Sequence, residues 1–271
     1  MVYSGHSKFS IPQLLDANDV QLDEPELEYT GDNNTVLINP EDWQFIRDHQ
    51  MYALATSEDL PVYTNVWVSK DKDVLTGDMK NSWFTYSKCG GLDTTCLLPA
   101  SLVNLLTSIP KGSTIAKSGN SYVLDIHTDS YSMLSEFLPK YESDDSVGSY
   151  NSEIILSKLR HPESYIIVGV STILKFISQT SILKSGDQDN LEFTIGDETL
   201  LLSTASGSYS MDVDTTESYE VNFRLDLFKS VISNFDTDKV NISPIWNKDK
   251  DAAAGCIFWT DRLTALLAGQ A

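Results

Sequence analysis

From residue 35 to residue 267 the apolar positions change period in an order that recurs four times. Each passage has a short β-like run, one helix of about three turns, then alternating strands separated by turn residues. In the first, 35–38 leads into Asn39-Pro40-Glu41-Asp42, which predicts an N-cap, a first-turn proline and two first-turn acids on a helix running to about Ala55. Strands are predicted at 62–68, 74–77 and 82–87, with Lys70-Asp71-Lys72-Asp73 as the turn between the first two. The second passage places a run at 95–98, a helix over 99–109 and strands at 114–117, 122–127 and 131–137. Leu102, Leu105, Leu106 and Ile109 form one apolar face of that helix.

The third passage has a run at 165–169, a helix over 170–181 and strands at 191–195, 200–204 and 209–213. The fourth has a run at 219–221, a helix from about Phe223 to Phe235, and strands at 240–243, 257–260 and 263–267. Two helices and two sets of strands per half describe an α+β fold with a duplicated domain. The division that follows is an acidic N-terminal extension over 1–34, a first domain over 35–140, a connector over 141–164 and a second domain over 165–271. The extension sets Lys8 alone against Asp16, Asp19, Asp23, Glu24, Glu26, Glu28 and Asp32, and reads as an acidic arm or as extra edge structure. The connector is rich in Ser, Asp and Tyr but contains Ile154-Ile155-Leu156 as one ordered piece.

Helical wheels separate an apolar stripe from a polar, mildly basic face. In the third helix Val170, Ile173 and Ile177 share a face and Lys175 projects from the other, beside Ser171, Ser178 and Gln179. In the fourth, Leu227, Phe228, Val231, Ile232 and Phe235 form the buried stripe and leave Lys229 outside, with Arg224 at the first turn. The strands between these helices carry nine acids from Ser185 to Phe223 and no Lys or Arg. Charge is therefore segregated by element. The whole chain of 271 residues has a formal charge of −20, from 39 acids against 19 Lys plus Arg. A protein that grips nucleic acid by neutralising phosphates carries the opposite sign.

The segment Leu54-Ala55-Thr56-Ser57-Glu58-Asp59-Leu60-Pro61-Val62-Tyr63-Thr64-Asn65-Val66-Trp67-Val68, followed by Val74-Leu75-Thr76-Gly77-Asp78, is similar to a pattern of the bacterial sliding clamps: a helix, an exposed loop ending in proline, a strand, and a strand finishing in Thr-x-Asp. Leu97-Leu98-Pro99-Ala100-Ser101-Leu102 and Val221-Asn222-Phe223-Arg224-Leu225-Asp226-Leu227 resemble the starts of later clamp helices. In order and spacing, from about Thr35 to Leu267, the chain resembles the DNA polymerase sliding clamp family. That resemblance implies duplicated clamp domains, each with two helices packed on antiparallel sheets, and a ring with helices inside and sheets outside. With two domains the chain looks more like the bacteriophage T4-type and eukaryotic clamps, which form trimers, than the three-domain bacterial clamp, which forms dimers.

The resemblance implies a non-enzymatic processivity factor in DNA replication that encircles double-stranded DNA without sequence specificity. Its partners would be DNA polymerase, a clamp loader and two further copies of itself as a homotrimer, with no cofactor, no metal and no catalytic residue. Arg47, Lys175, Lys184, Arg224 and Lys229 are the candidate DNA-facing residues. Ile154, Ile155, Leu266 and Leu267 are candidates for an apolar pocket that takes partner peptides. The lining departs from the usual basic one: the first helix offers Arg47 with Glu41 and Asp48, and the second only Ser101, Asn104 and Ser108. The C-terminal strand ends without the proline-containing tail of many relatives.

Enzymatic readings find little support. The chain has no G-x-x-x-x-G-K loop, no G-x-S-x-G elbow and no H-E-x-x-H. His6, His49, His127 and His161 lack ligand spacing, and Cys89, Cys96 and Cys256 read as small thiols in a reducing compartment. Asp212-Val213-Asp214-Thr215 matches the D-x-D-x-T of aspartate-nucleophile phosphatases, but the alternating Tyr209-Ser210-Met211 before it suits an antiparallel strand end, whereas that chemistry needs an apolar parallel strand. A viral β-rich structural or assembly protein would lack the four matched helices, and a monomeric processivity factor of the same fold would be basic. The opening residues lack the apolar core of a signal peptide and no 18-residue apolar window occurs, so the chain is expected in the cytoplasm, that of the host if it is viral, and away from membranes.

Overall fold

The structure, a computed structural model, describes residues 2–4, 7–9, 36–37, 39–56, 61–89, 95–118, 121–127, 132–137, 150–182, 190–249 and 251–270. Near the N-terminus, β1 (Val2–Ser4) and β2 (Ser7–Phe9) pair as a short antiparallel ribbon. The rest of the 1–34 extension, His6 and Lys184 lie outside the described residues.

The first half of the chain contributes β3 (Val36–Leu37), α1 (Pro40–His49), β4 (Asn65–Val68), β5 (Asp73–Asp78), β6 (Trp83–Lys88), β7 (Cys96–Pro99), α2 (Ala100–Leu106), β8 (Thr114–Ser118), β9 (Ser121–His127) and β10 (Ser132–Phe137). A connector helix α3 (Ser152–Lys158) follows. The second half contributes β11 (Ile166–Gly169), α4 (Val170–Ile182), β12 (Asn190–Gly196), β13 (Thr199–Thr204), β14 (Gly207–Asp212), β15 (Tyr219–Arg224), α5 (Leu225–Ser233), β16 (Lys239–Trp246), β17 (Ala253–Trp259) and β18 (Thr264–Ala268). The four helix-and-strands passages of the sequence are all present, with shifted ends.

Most of those shifts follow from contacts between residues far apart in the chain. Pro40 stands in the first turn with Glu41 and Asp42, as the sequence suggests, but Asn39 makes no side-chain cap bond. The first helix stops at His49, short of Ala55, because Gln50 turns its side chain into the sheet. Its amide nitrogen donates to the Val74 carbonyl (3.3 Å), its amide oxygen accepts from Ser87 Oγ (2.7 Å), and its backbone carbonyl accepts from Thr76 Oγ1 (2.8 Å). A fully buried glutamine must satisfy these groups, and doing so diverts the chain into a 3-10 turn at Met51–Ala53. Another 3-10 turn, Pro61–Thr64, takes the start of the strand expected from residue 62. The last helix begins at Leu225, two residues late, because Phe223 and Arg224 remain paired with Leu191 and Asn190 in the sheet.

Three larger sheets result. One is eight-stranded, in the order β11-β16-β17-β18-β6-β5-β4-β7; the others are β10-β9-β8-β3 and β14-β13-β12-β15. All their pairings are antiparallel, including β14 with β13, so Asp212 ends an antiparallel strand opposite Thr199. That is the environment its alternating pattern suggested, and it differs from the parallel strand a phosphatase aspartate needs.

The strands β4, β5 and β7 of the eight-stranded sheet are buried on both faces. Val66, Val68, Val74, Cys96 and Leu98 face Trp43, Ile46, Leu102, Val103 and Leu106 of α1 and α2. Their alternates Trp67, Leu75, Phe84, Leu97 and Leu266 face the opposite way, onto Tyr150, Ile155 and Leu159 of the connector. Because both alternates are apolar, these strands read as near-continuous hydrophobic runs. A third cluster centres on Phe193, Phe223, Phe228 and Phe258 of the second half and takes in Phe45, Ala53 and Trp83 of the first. Burial of aromatic area on this scale is the dominant favourable contribution.

Gly255 on β17 lies against β18, where a Cβ would stand 2.5 Å from the Leu267 carbonyl oxygen and 2.8 Å from the Ala268 Cα. Both are backbone atoms and cannot rotate away. Gly255→Ala is expected to destabilise the protein by about 1–3 kcal/mol, as overpacking does. Urea unfolding checks it: a midpoint equal to that of the wild type is the contrary result.

Candidate nucleic-acid interface

The apolar stripes read from the sequence point inward as expected. Val170, Ile173, Phe176 and Ile177 of α4 and Leu227, Phe228, Val231 and Ile232 of α5 are buried; Lys175, Ser178, Gln179, Lys229 and Ser233 are exposed. α1 packs on α2 and α4 on α5, so each half of the chain presents one helix pair. The pairs are tied together at their ends. His49 Nδ1 lies 2.7 Å from the Asn234 carbonyl, and the Arg262 guanidinium sits 4.1 Å from the Phe45 ring centroid while lying 3.7 Å from Asp236.

Four of the five candidate cations are described, and all four are exposed. Arg47 is held by Asp48 at 3.0 Å and donates to Thr107 Oγ1 of the neighbouring helix at 3.1 Å. Arg224 donates to both carboxylate oxygens of Asp226, at 3.2 and 2.6 Å, and to Asn81 Oδ1 at 3.2 Å. The hydrogen bonds to Asp226 push the Arg224 guanidinium pKa up; burial pushes the Asp226 carboxyl up, but the hydrogen bonds it accepts from Arg224 and the Leu227 N–H outweigh this and hold it below its usual value. Lys175 and Lys229 are exposed on α4 and α5 and make no ion pair among the described residues.

The acids occupy other ground. Along β12 the buried Leu191, Phe193 and Ile195 alternate with Glu192, and exposed Asp197, Glu198, Asp212, Asp214 and Glu220 follow on the same sheet. Since the buried alternates of this sheet pack in one cluster with α4 and α5, Glu192 on β12 and Glu220 on β15 lie on the face away from the helix layer. Asp187 and Asp189 lie outside the described residues.

The apolar candidates separate into different places. Ile155 and Leu266 come together in the cluster under the connector, with Leu266 half-buried. Leu267, its side chain alternating to the other face, is buried in the core beneath the helices. Ile154 points outward and is 63% exposed. Sequence reading missed the residue that anchors this region: Tyr150, fully buried, with its ring 4.8 Å from Tyr63 and stacked on Trp67 at 6.3 Å. Nothing in the sequence sets it apart from Tyr141 in the same connector. Farther along, the His161 ring stacks on Trp259 at 5.0 Å with Nε2 2.9 Å from Thr264 Oγ1, seating the connector on the second half.

Each four-stranded sheet ends in two edge strands, β10 and β3 in one and β14 and β15 in the other, and among the described residues none of the four pairs with a further strand on its outer side. Beside β14 a cavity of about 430 Å³ is lined by Ser171, Thr172, Lys175, Phe176, Gln179 and Tyr209. Tyr209 is 40% exposed, with its ring 6.1 Å from that of Phe176. Among the described residues no helix is long and apolar enough to cross a membrane.

No protein-family model and no curated protein matches the chain. Solved structures do. The chain is similar to the beta sliding clamp of Caulobacter crescentus (TM-score 0.68, 11% identity, covering 99% of this chain and 73% of that one). It is also similar to the DNA polymerase III beta subunit of Thermotoga maritima (0.67, 12%, 92% and 68%) and to that of Borrelia burgdorferi (0.64, 14%, 88% and 64%). The chain thus spans a little under two thirds of the Borrelia chain. At these identities the likeness establishes the fold: duplicated clamp domains of helices on antiparallel sheets.

Burial lowers the His161 pKa below its usual 6.5. The unfolded chain then binds this proton more readily than the folded one, so the contribution is complete above about pH 6.5 and is lost as pH falls through the folded pKa. His161→Phe keeps an aromatic ring on Trp259 and is expected to lose less stability between about pH 7 and about pH 5 than the wild type does. Urea midpoints at the two pH values measure this, and parallel losses are the contrary result.

Proposed function

We propose that this chain is a sliding clamp subunit: a non-enzymatic protein that closes with other copies into a ring around duplex DNA and tethers a polymerase to it. The observation that carries the reading is a layer of helices exposing Lys175 and Lys229, set in a clamp fold whose two four-stranded sheets have open edges at β10 and β14. An edge strand is a template for another chain, and one such edge on each half allows head-to-tail pairing that closes on itself. Residues 35–140 and 165–271 act as the two ring segments, joined by the connector over 141–164. Three copies then supply six segments, as in the bacteriophage T4-type and eukaryotic clamps, and a bacteriophage source fits that form.

In this ring Lys175 and Lys229 face the DNA with Arg47, Arg224 and Lys184 around them. The acidic sheets face outward, where they discourage DNA from lying on the wrong surface. A closed ring holds DNA by topology, so weak contacts to phosphates are sufficient and a charge of −20 is tolerated. Polymerase and clamp loader dock their peptides on the outer face beside the connector, where Ile154 is exposed and Leu266 is half-buried next to Ile155.

Native mass spectrometry is expected to find a species near three times 30.1 kDa, and a strict monomer sinks the reading. The protein should remain on nicked circular DNA and run off after linearisation. The double substitution Lys175→Glu with Lys229→Glu is expected to keep the native mass and lower retention or polymerase stimulation by about tenfold or more. Unchanged activity removes both lysines from the DNA-facing set. Tyr209→Glu puts a charge at the unpaired β14 edge and should yield monomers with an unaltered far-ultraviolet circular dichroism spectrum; a persisting trimer shows that this edge is not the contact.

A further inference from the structure

The two halves of the chain repeat one another strand for strand, and the repeat identifies which open edges belong together. In the first half the row Val36, Ile115, Leu124, Ser135 crosses the sheet from β3 to β10. In the second the row Ile166, Ile242, Phe258, Ala265 crosses from β11 to β18. Val36 and Ile166 stand the same distance ahead of their helices, which begin at Pro40 and Val170. β5 and β6 form a hairpin of two 6-residue strands, as do β13 and β14, which sets Gly207 in the place of Trp83 and Tyr209 in that of Thr85. β10 is thus the counterpart of β18, and β14 that of β6. Those two counterparts are the strands that pair within the chain, with Ala265 opposite Thr85 and Leu267 opposite Trp83. β3 and β15 instead correspond to β11 and β7, the two ends of the eight-stranded sheet, which pair with nothing further among the described residues.

The helices carry the same correspondence. Aligned at Pro40 and Val170, α1 and α4 bury Trp43 with Ile173, Ile46 with Phe176 and, where α1 ends, Gln50 with Thr180. Two of the positions where they diverge are those that touch the other half across the seam. Phe45 is buried under the Arg262 guanidinium and His49 is half-buried on the Asn234 carbonyl, whereas their counterparts Lys175 and Gln179 are exposed. Lys175, Gln179 and Tyr209 line the 430 Å³ cavity beside β14. The cavity therefore marks, in the second half, the place that the seam fills in the first. We infer that a second copy of this chain fills it, its β10 pairing antiparallel with β14 in the register of the seam: Ser135 of one copy opposite Tyr209 of the next, Phe137 opposite Gly207 and Met133 opposite Met211. The inference rests on the ring reading and deepens it by naming both edges of the contact and their alignment. A Cβ added at Gly207 meets nothing within 4 Å, so the place that Trp83 occupies in the seam is open to Phe137 of the next copy. Lys175 lays its aliphatic stem along this contact and keeps its ammonium toward the channel.

At the seam the Ala268 N–H donates to the Ser82 carbonyl (3.0 Å), so Ala265 and Thr85, an odd number of pairs along, face each other as a non-hydrogen-bonded pair. Pairs of that kind hold their Cα atoms about 4.5 Å apart, within the reach of a disulfide. The test recombines four cysteine substitutions in the full chain. Ser135→Cys with Tyr209→Cys, and Met133→Cys with Met211→Cys, are aligned in the inferred register. Ser135→Cys with Met211→Cys, and Met133→Cys with Tyr209→Cys, are slipped along the strand to diagonal positions. After oxidation with diamide, a denaturing gel without reductant is expected to show covalent dimers and trimers from both aligned pairs. They should form about fivefold or more faster than from either slipped pair, whose Cα atoms lie about 7–8 Å apart. The wild type, with Cys89, Cys96 and Cys256, sets the background. The second aligned pair keeps Tyr209, so its result does not depend on the loss of that ring. Crosslinking that favours a slipped pair overturns the register. Reduced variants that keep the trimeric mass but stay unlinked in both aligned pairs overturn the contact and leave the ring reading standing, whereas a monomeric wild type removes both.

Discussion

One strand pairing carries most of this architecture: β18 lies against β6, with Thr264, Ala265, Leu266 and Leu267 opposite Tyr86, Thr85, Phe84 and Trp83. It fuses four strands of each half into one eight-stranded sheet. On one face the register places Trp83 and Leu267 in the core that also takes in Phe45 and Ala53; on the other it places Phe84 and Leu266 under the connector. A slip of one residue would exchange these two sets, putting Trp83 under the connector and Phe84 among the helices. The seam also brings Arg224 to Asn81 and His49 to Asn234, contacts that span the halves and fix one helix pair against the other. A rigid junction is what a ring segment requires, because a small change of angle there alters whether successive copies close.

Charge and topology are related through that rigidity. Exposed ion pairs such as Arg47 with Asp48 contribute little to stability and also remove a cation from whatever faces the helices. The exposed helix faces are therefore only weakly attractive to phosphates. Such a surface would be inadequate for a protein that binds DNA from one side. For a closed ring it is suited to the task, since each contact must be made and broken as the ring moves.

Much of the fold was legible in the sequence because it depends on local periodicity. The stripes of α4 and α5 were read residue by residue, and Val170, Ile173, Leu227, Phe228, Val231 and Ile232 are all buried. The helix ends were not, because long-range satisfaction of polar groups sets them: nothing near Gln50 in sequence says that Val74, Thr76 and Ser87 will claim its side chain and carbonyl. The same limit applies to the surface sites. That Lys175 and Lys229 stand exposed follows from a helical wheel, whereas the pairing of Arg224 with Asn81 and the insertion of Tyr150 beside Trp67 join residues far apart in the chain. Period alone also treats Leu266 and Leu267 as neighbours in one pocket, although the pleat sends them to opposite faces.

The unpaired edges show how association can be selective in so acidic a molecule. β14 reads Gly-Ser-Tyr-Ser-Met-Asp, short and mostly polar, which suppresses indiscriminate edge pairing. Its backbone groups nonetheless remain available, and beside them the Phe176 and Tyr209 rings border the 430 Å³ cavity. In the proposed ring, copies that each carry −20 repel one another, so the attraction between them has to be short-ranged: backbone hydrogen bonds and an apolar side chain seated between those rings. An edge that offers hydrogen bonds without the side chain gains too little to offset the repulsion, and a loose apolar surface without an aligned edge leaves backbone groups unpaired. Only a strand meeting both conditions binds. In the proposed ring, that requirement favours another copy of the same protein over the many strand edges it would otherwise encounter.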